Sequence, residues 1–184
     1  MKRLFDILMS IVILLFFSPV LLMLGLALLI TSRGPIFYRQ QRVGRGGSTF
    51  WMLKFRSMVV NADRIGSYIT NQGDPRITPI GAFMRRTSLD ELPQLINVLL
   101  GDMSLVGPRP DVPAQRSLYS DNDWAIRTSV RPGITGLAQA TLRSGATHQQ
   151  RLTLDLEYVQ RKSFCFDLKV LVLTVRQVLG KGSH

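Results

Sequence analysis

The most prominent pattern in the chain is an unbroken apolar stretch near its start. Residues 7–30 contain no charged side chain over 24 positions. At 1.5 Å per residue, a straight helix of this length reaches about 36 Å, enough to cross a hydrocarbon core of about 30 Å. The stretch is too long for the apolar region of a signal peptide, and no small-residue cleavage pattern follows it. It therefore predicts a membrane helix that stays attached to the protein.

Two features favour a helix that enters the membrane and returns over one that spans it. Pro19 removes a backbone donor, and the Ser18 hydroxyl can bond back to a carbonyl one turn earlier, so a bend is expected there. Basic residues stand at both ends of the stretch, and these are Lys2, Arg3, Arg33, Arg39, Arg42 and Arg45. The positive-inside tendency then keeps both ends on the cytoplasmic face. A proline-kinked helix that spans the membrane is the alternative.

The rest of the chain predicts a small hairpin followed by helices. Apolar runs from residue 36 and over 49–55 flank a turn rich in glycine, which is typical of a β-hairpin. Helices are predicted over residues 61–68, 80–86, 88–100, 147–162 and 164–179, with irregular loops over 101–110 and 131–145. The last helix suits either the lipid interface or an ordinary core position. The expected fold class is α+β, mainly helical, in one compact domain.

Composition narrows the choice of partners. The net charge of +11 and a pI near 10.8 suit nucleic acid, anionic lipid or a phosphorylated substrate. The apolar stretch favours the membrane among these partners. No stripe of basic and aromatic residues points to nucleic acid, so nucleic acid is not expected as a partner. With one cysteine, Cys165, and two histidines, His148 and His184, the chain has no zinc-type ligand set. A bound metal would be a hard cation held by oxygen atoms.

The acidic pair Asp90 and Glu91 is the strongest candidate for chemistry. The whole chain has two glutamates, and this pair follows closely after Arg85 and Arg86. Ordinary acids in a first helical turn complement the helix dipole, which is the alternative interpretation. A helix start beside arginines also suits a diphosphate. A carboxylate there either binds Mg²⁺ that bridges the diphosphate or attacks phosphorus to form an acyl phosphate, and spacing does not separate these roles.

The local helix start is also predicted from the sequence. Pro93 is tolerated near a helix start, and Ser88 and Glu91 have the spacing of a capping box. We therefore expect Asp90 and Glu91 in the first turn of the helix over 88–100. Further candidate phosphate ligands are Arg109, between two prolines, and Arg143 in the second glycine-rich loop. Taken alone, an arginine in a loop is more often solvated surface.

Together these segments resemble the monotopic bacterial phosphoglycosyl transferases, also called bacterial sugar transferases. The resemblance covers nearly the whole chain and rests on blocks in a fixed order. These are residues 2–6, Ser18-Pro19, KFRSM at 54–58, LDELPQ at 89–94 with Asn97, GDMS at 101–104, GPRP at 107–110 and RPGITG at 131–136.

The resemblance implies a re-entrant membrane helix over residues 1–33 and a cytoplasmic catalytic domain over 34–184, lying on the inner membrane of a bacterium with interfacial helices. It implies a Mg²⁺-dependent ping-pong reaction in which Asp90 takes the phosphosugar from a UDP-sugar, releases UMP and passes it to undecaprenyl phosphate. Asp90 is then both nucleophile and metal ligand, and Glu91 assists in a role left open. Further residues match family positions near the substrate phosphates, and these are Lys2, Arg85, Arg109, Arg143 and Asp155.

The sugar, the glycoconjugate pathway and the choice between monomer and homodimer stay open. A different class of explanation also stays open: a basic, membrane-anchored binding module without catalysis, in which the acidic pair only caps a helix.

Overall fold

The computed structural model describes residues 1–32, 34–66, 73–142 and 146–180. Its helices are α1 Lys2–Thr31, α2 Ala62–Ile65, α3 Pro79–Thr87, α4 Gln94–Leu100, α5 Asp121–Thr128, α6 Leu137–Thr141, α7 His148–Arg161 and α8 Phe164–Gly180. Its strands are β1 Phe37–Val43, β2 Thr49–Phe55, β3 Ser104–Val106 and β4 Gly133–Thr135. Short 3₁₀ turns cover Arg45–Gly47, Leu89–Glu91 and Pro113–Leu118. The α+β, mainly helical class is confirmed.

The apolar stretch forms α1, which remains one helix through Pro19. In the part of the chain that is described, it is the helix long and apolar enough to cross a membrane. The Ser18 hydroxyl donates to the Leu15 carbonyl at 2.7 Å, as expected from the sequence. This bond occupies a carbonyl in the turn that precedes the proline.

Two hydrophobic clusters form the core, and α1 packs against both. The larger one joins α4, β3, α6, α7 and α8, and the first half of α1 contacts it through Phe5, Met9, Ile13 and Leu14. The smaller one is built from Leu24 and Leu28 of α1 with Phe55 and Met84. The helix therefore rests on the globular part along both of its halves.

The predicted hairpin is confirmed and is pinned to α4 by one buried side chain. β1 and β2 are antiparallel, with Phe37 opposite Phe55. Asn97 accepts from the Leu53 amide at 2.9 Å and donates to the Trp51 carbonyl at 2.8 Å. These bonds fix the pocket end of β2 beside the segment that carries the acidic pair.

The predicted helix over 88–100 is wrong at its start. Ser88 adopts a left-handed conformation, with φ 58°, and ends α3 without capping the next turn. Asp90 and Glu91 lie in a 3₁₀ turn, and α4 begins at Gln94, after Pro93. The predicted capping box is absent, since a serine at positive φ does not have the extended backbone of a helix cap.

Other differences arise where elements are short. Both glycine-rich loops contain a strand, because β3 and β4 pair in parallel. A Cβ on Gly133 would lie 2.1 Å from the Gly107 amide nitrogen, so the close approach of these backbones requires glycine. The predicted helix over 61–68 is α2 Ala62–Ile65, and its last residues lie outside the described ones. The predicted helices over 80–86, 147–162 and 164–179 are confirmed.

Candidate active site

A pocket of about 490 Å³ opens between the hairpin, the α1–β1 connection, the segment after β2, α3 and the 3₁₀ turn. Its wall is apolar at Phe37, Phe55 and Met58. Its polar lining includes Gln40, Arg42, Lys54, Arg56, Arg85, Asp90 and Glu91. Cations outnumber carboxylates there, so the pocket suits an anionic ligand.

The Asp90 carboxylate is buried but unengaged. Its residue is 6% exposed. Among the described residues, no hydrogen bond or ion pair reaches it. Because Asp90 lines the pocket, its unpaired carboxylate is open to a ligand or reactant that enters there.

Its neighbour Glu91 is fully engaged. The Lys54 ammonium donates to Glu91 Oε1 at 2.8 Å, and Arg109 Nη2 donates to the same oxygen at 2.7 Å. Lys54 comes from β2 and Arg109 from the proline-rich segment after β3. Glu91 therefore joins two distant parts of the chain at the pocket wall.

These surroundings shift the pKa values of the two carboxylates in opposite directions. Burial and the charge of Glu91 raise the pKa of Asp90, against the opposing effect of Lys54 and nearby arginines. Burial also acts to raise the pKa of Glu91, but Arg109 and Lys54 outweigh it and hold that pKa well below its usual range. Glu91 thus stays a charged anchor, whereas Asp90 is a more basic carboxylate. Opposite shifts of this kind commonly mark distinct chemical roles.

Two arginines line the pocket from fixed positions. Arg85, in the last turn of α3, donates from Nε to the Ser57 hydroxyl at 2.8 Å. Arg42 donates to the Pro110 carbonyl at 2.8 Å and to Gln40. Burial, followed by the charge of Arg109, lowers the pKa of Arg42 to about 10, so it stays charged near neutral pH.

The segment carrying Arg109 is held from behind by a buried ionic cluster. Arg127 donates from Nη2 to the Arg109 carbonyl at 2.5 Å, from Nε to Asp155 at 2.9 Å and from Nη1 to Asp111. Asp155 therefore does not contact the pocket itself and is connected to it only indirectly, through Arg127 and the Arg109 backbone. Its contacts are those of a positioning residue.

The structure brings together some of the predicted site residues and not others. Asp90, Glu91 and Arg85 line the pocket, and Arg109 pairs with Glu91. Lys2 instead pairs with Asp167 at 2.5 Å and donates to the Val106 carbonyl at 3.2 Å. Arg143 lies outside the described residues.

Sequence reasoning missed four basic residues of the pocket, Arg42, Lys54, Arg56 and Arg76. Alternate residues of a strand share a face, so Gln40 and Arg42 project from the same side of β1. Basic residues at alternate positions of a hairpin that otherwise carries large apolar side chains were the available signal.

The pocket offers few side chains that could ligate a metal ion. No group of three His, Cys, Asp or Glu side chains suited to a metal is found in residues 1–32, 34–66, 73–142 and 146–180. Mg²⁺ is commonly held by one or two carboxylates together with substrate phosphates and water. The free carboxylate of Asp90 fits that mode, in which the substrate brings most of the ligands.

The profile of the family described as bacterial sugar transferase matches residues 1–181. The chain belongs to this family, which confirms the resemblance that the sequence blocks indicate.

Three relatives illustrate the range of sequence identity and coverage. The UDP-glucose:undecaprenyl-phosphate glucose-1-phosphate transferase of Escherichia coli strain K12 is 45% identical over 183 residues, covering 95% of this chain and 39% of that protein. The Caulobacter vibrioides protein of the same name is 42% identical, covering 97% and 69%. The exopolysaccharide production protein ExoY of Sinorhizobium fredii is 39% identical, covering 100% and 88%. The chain thus spans about two-fifths of the length of the Escherichia coli relative.

Proposed function

We propose that this protein transfers a phosphosugar from a UDP-sugar to undecaprenyl phosphate, with Asp90 as the nucleophile. The observation that carries the proposal is the Asp90 carboxylate, which is buried in a cationic pocket and unengaged while its neighbour Glu91 is held by two cations. A nucleophile needs a free lone pair and a pocket that attracts its substrate, and Asp90 has both.

The reaction proceeds in two displacements. An oxygen of Asp90 attacks the sugar-bearing phosphorus, the bond from that phosphorus to the bridging oxygen breaks, and UMP leaves. The phosphosugar is then an acyl phosphate on Asp90. A phosphate oxygen of undecaprenyl phosphate next attacks the same phosphorus, the bond to Asp90 breaks, and undecaprenyl diphosphate sugar is formed with the carboxylate restored.

The pocket cations stabilise the charge that moves to the leaving phosphate. Arg85 and Arg42 line the pocket with Lys54, and Arg109 is held toward it by Glu91. Glu91 acts as a positioning residue, because its carboxylate orients Lys54 and Arg109. Mg²⁺ carried by the diphosphate would be held by Asp90 and would neutralise phosphate charge.

We infer a re-entrant placement of α1 with residues 34–184 on the cytoplasmic face of the inner membrane. The support is that both ends of α1 attach to one globular body: Arg3 donates to the Val98 carbonyl at 2.7 Å, and Ser32 accepts from Arg56 at 2.9 Å. A spanning helix would place its two ends on opposite faces of the membrane, where one globular body could not hold both.

The exposed face of α8 supports the same placement. Apolar side chains are exposed along one side of this helix, at Phe164, Leu168, Val172, Val175 and Val178. Phe164 packs edge-on against Phe5 of α1, with ring centroids 5.2 Å apart, so the two helices are neighbours. Such a face suits the lipid interface.

Topology is tested by labelling single cysteines placed before and after the apolar stretch in a Cys165→Ser background. We expect both positions to react with an impermeant reagent from the cytoplasmic side only. Labelling from opposite sides would support a spanning helix and contradict the re-entrant placement.

The activity is tested by measuring UMP release by the full chain in detergent with Mg²⁺, undecaprenyl phosphate and UDP-sugars. UDP-glucose is the first donor to try, because the names of several relatives specify it. The name of the Sinorhizobium fredii relative, exopolysaccharide production protein, points to exopolysaccharide assembly as the destination of the product. We expect Asp90→Asn to lower the rate by about 10³-fold or more, the scale of removing a nucleophile.

The matched control is Asp121→Asn, which removes an exposed carboxylate paired with Arg116. It should keep native activity. UMP release that is independent of Asp90 would reject the nucleophile. If no UDP-sugar supports release while anionic lipid or an acidic partner binds tightly, the protein is a basic membrane-anchored binding module instead.

A further inference from the structure

Arg56 is a buried cation in the pocket, and some of its hydrogen-bond donors have no acceptor among the described residues. Its residue is 5% exposed, and its Nε and Nη1 atoms have no hydrogen-bond partner among the described residues. No carboxylate pairs with it in the described part of the chain. A charged donor left unsatisfied in the interior is costly, so this guanidinium is suited to an oxyanion that arrives from outside the protein.

The one engaged nitrogen of Arg56 ties it to the end of α1. Nη2 donates to the Ser32 carbonyl at 2.9 Å and to the Ser32 hydroxyl at 3.0 Å. Ser32 is the C-cap of α1, directly after the apolar stretch. Arg56 therefore sits on the side of the pocket where the chain leaves the apolar helix, at the level that lipid head groups occupy in the proposed placement.

Most of the other cations in and beside the pocket are arranged around the acidic pair, whereas Arg76 pairs with Asp74. Lys54 and Arg109 contact Glu91 directly, and Arg85 and Arg109 both act on the pKa of Asp90. No hydrogen bond or ion pair joins Arg56 to either carboxylate in the described part of the chain. The pocket thus has a cationic group at the reacting carboxylates and a separate cation at the end of the membrane helix.

We propose that Arg56 binds the phosphate of the polyprenyl acceptor, while the cations around Asp90 and Glu91 serve the diphosphate of the donor. This inference rests on the proposed transferase function. A phosphate attached to a polyprenyl chain stays at the membrane surface, and Arg56 is the pocket cation bonded to the membrane helix itself. A guanidinium N–H without a partner can donate a charge-assisted hydrogen bond to a phosphate oxygen, and Arg56 has such groups on Nε and Nη1.

The backbone at Gly34 lies close against the Arg56 guanidinium. A Cβ at this position would lie 2.3 Å from Arg56 Nη1 and 2.9 Å from Val60, so the backbone of the α1–β1 connection rests directly on the guanidinium. Gly34 has a φ of 121°, which glycine adopts freely.

The role of Arg56 is tested by measuring the two halves of the reaction separately in the full chain in lipid nanodiscs. The first half is followed without acceptor, as exchange of labelled UMP into UDP-glucose. The second is followed as turnover against increasing undecaprenyl phosphate. We expect Arg56→Gln to raise the acceptor KM by about 10- to 100-fold, the scale of hydrogen bonds to a charged group. Its exchange rate should stay within about twofold of native, because Arg56 contacts neither reacting carboxylate.

Three further variants keep the test decisive. Arg56→Lys retains the charge and should recover part of the acceptor affinity, which also covers the case in which Arg56→Gln folds poorly. Ser32→Ala removes one contact of Nη2 but leaves Nε and Nη1, and should keep the native acceptor KM. Arg39→Gln removes an exposed arginine of β1 as a charge-matched control.

Each outcome has a distinct meaning. A raised acceptor KM with native exchange supports the assignment. An unchanged acceptor KM, or a loss of exchange and a rise in the UDP-glucose KM, overturns it and in the latter case assigns Arg56 to the donor phosphates. Absence of exchange in the native protein, with a UDP-sugar that supports full turnover, overturns the covalent mechanism itself, which is a separate failure.

Discussion

Two clusters of charged side chains meet at Arg109, and they are built in opposite ways. The side chain of Arg109 pairs with Glu91 at the pocket, whereas its carbonyl accepts from Arg127 in the cluster behind. In the rear cluster the Arg127 guanidinium is fully used, by Asp111, Asp155 and this carbonyl. In the pocket, the Asp90 carboxylate has no partner among the described residues, and two nitrogens of Arg56 have none.

The difference separates a structural network from a binding site. A buried polar network whose members are all satisfied stabilises one arrangement of the chain. Buried groups that lack partners reduce stability unless a ligand completes them. The unpaired groups of the pocket thus lower the stability of the protein at the positions where substrate is expected to bind. The Arg127 cluster, in contrast, holds the Arg109 segment in place.

Replacing Arg127 should have the largest effect on stability. Arg127→Leu leaves Asp111 and Asp155 buried without their cation, which should lower the free energy of unfolding by about 3–5 kcal/mol. The measurement is denaturant unfolding in detergent followed by circular dichroism. Arg116→Leu, which breaks an exposed pair with Asp121, should change it by less than about 1 kcal/mol. Equal effects of the two variants would contradict a structural role for the Arg127 cluster.

Replacing Glu91 should weaken activity while sparing the fold. Glu91→Gln keeps the size of the side chain but loses the charge that orients Lys54 and Arg109, so UMP exchange should fall by about 10- to 100-fold. Because the Glu91 charge raises the pKa of Asp90, its removal should also move the acid limb of the pH profile to lower pH. A purely structural residue would change the rate without moving that limb.

The third predicted effect is a change in the pH dependence of stability. Burial, opposed by Arg127, raises the pKa of Asp155 from 3.8 to about 6. The native state therefore binds this proton more tightly than the unfolded state, and its contribution to stability falls as pH rises from 3.8 to about 6. In Asp155→Asn this contribution is absent, so the two unfolding curves should differ in slope by up to about 1.4 kcal/mol per pH unit.

This pH measurement sharpens the comparison between clusters. Asp155→Asn leaves Arg127 paired with Asp111, so it should destabilise less than Arg127→Leu at neutral pH. Identical slopes for Asp155→Asn and the native protein between pH 4 and 6 would show that Asp155 does not titrate in that range.

The elements that the sequence predicts correctly are those with a long local pattern. The charge-free stretch of α1, the two runs of the hairpin and the periodic helices α7 and α8 each repeat their signal over several turns or residue pairs. The acidic pair and the ordered motif blocks also identify the family without a structure. These features depend on neighbouring residues alone, so the order of residues is enough to determine them.

The tertiary structure decided what depends on distant residues. β3 and β4 are three residues long and form only because Gly107 and Gly133 bring two loops together. Asp90 and Glu91 are adjacent in sequence, yet Lys54 and Arg109, which lie far away along the chain, make one an anchor and leave the other free. Desolvation and ion pairing act through space. The different roles of Asp90 and Glu91 therefore depend on the tertiary structure and cannot be deduced from the motif alone.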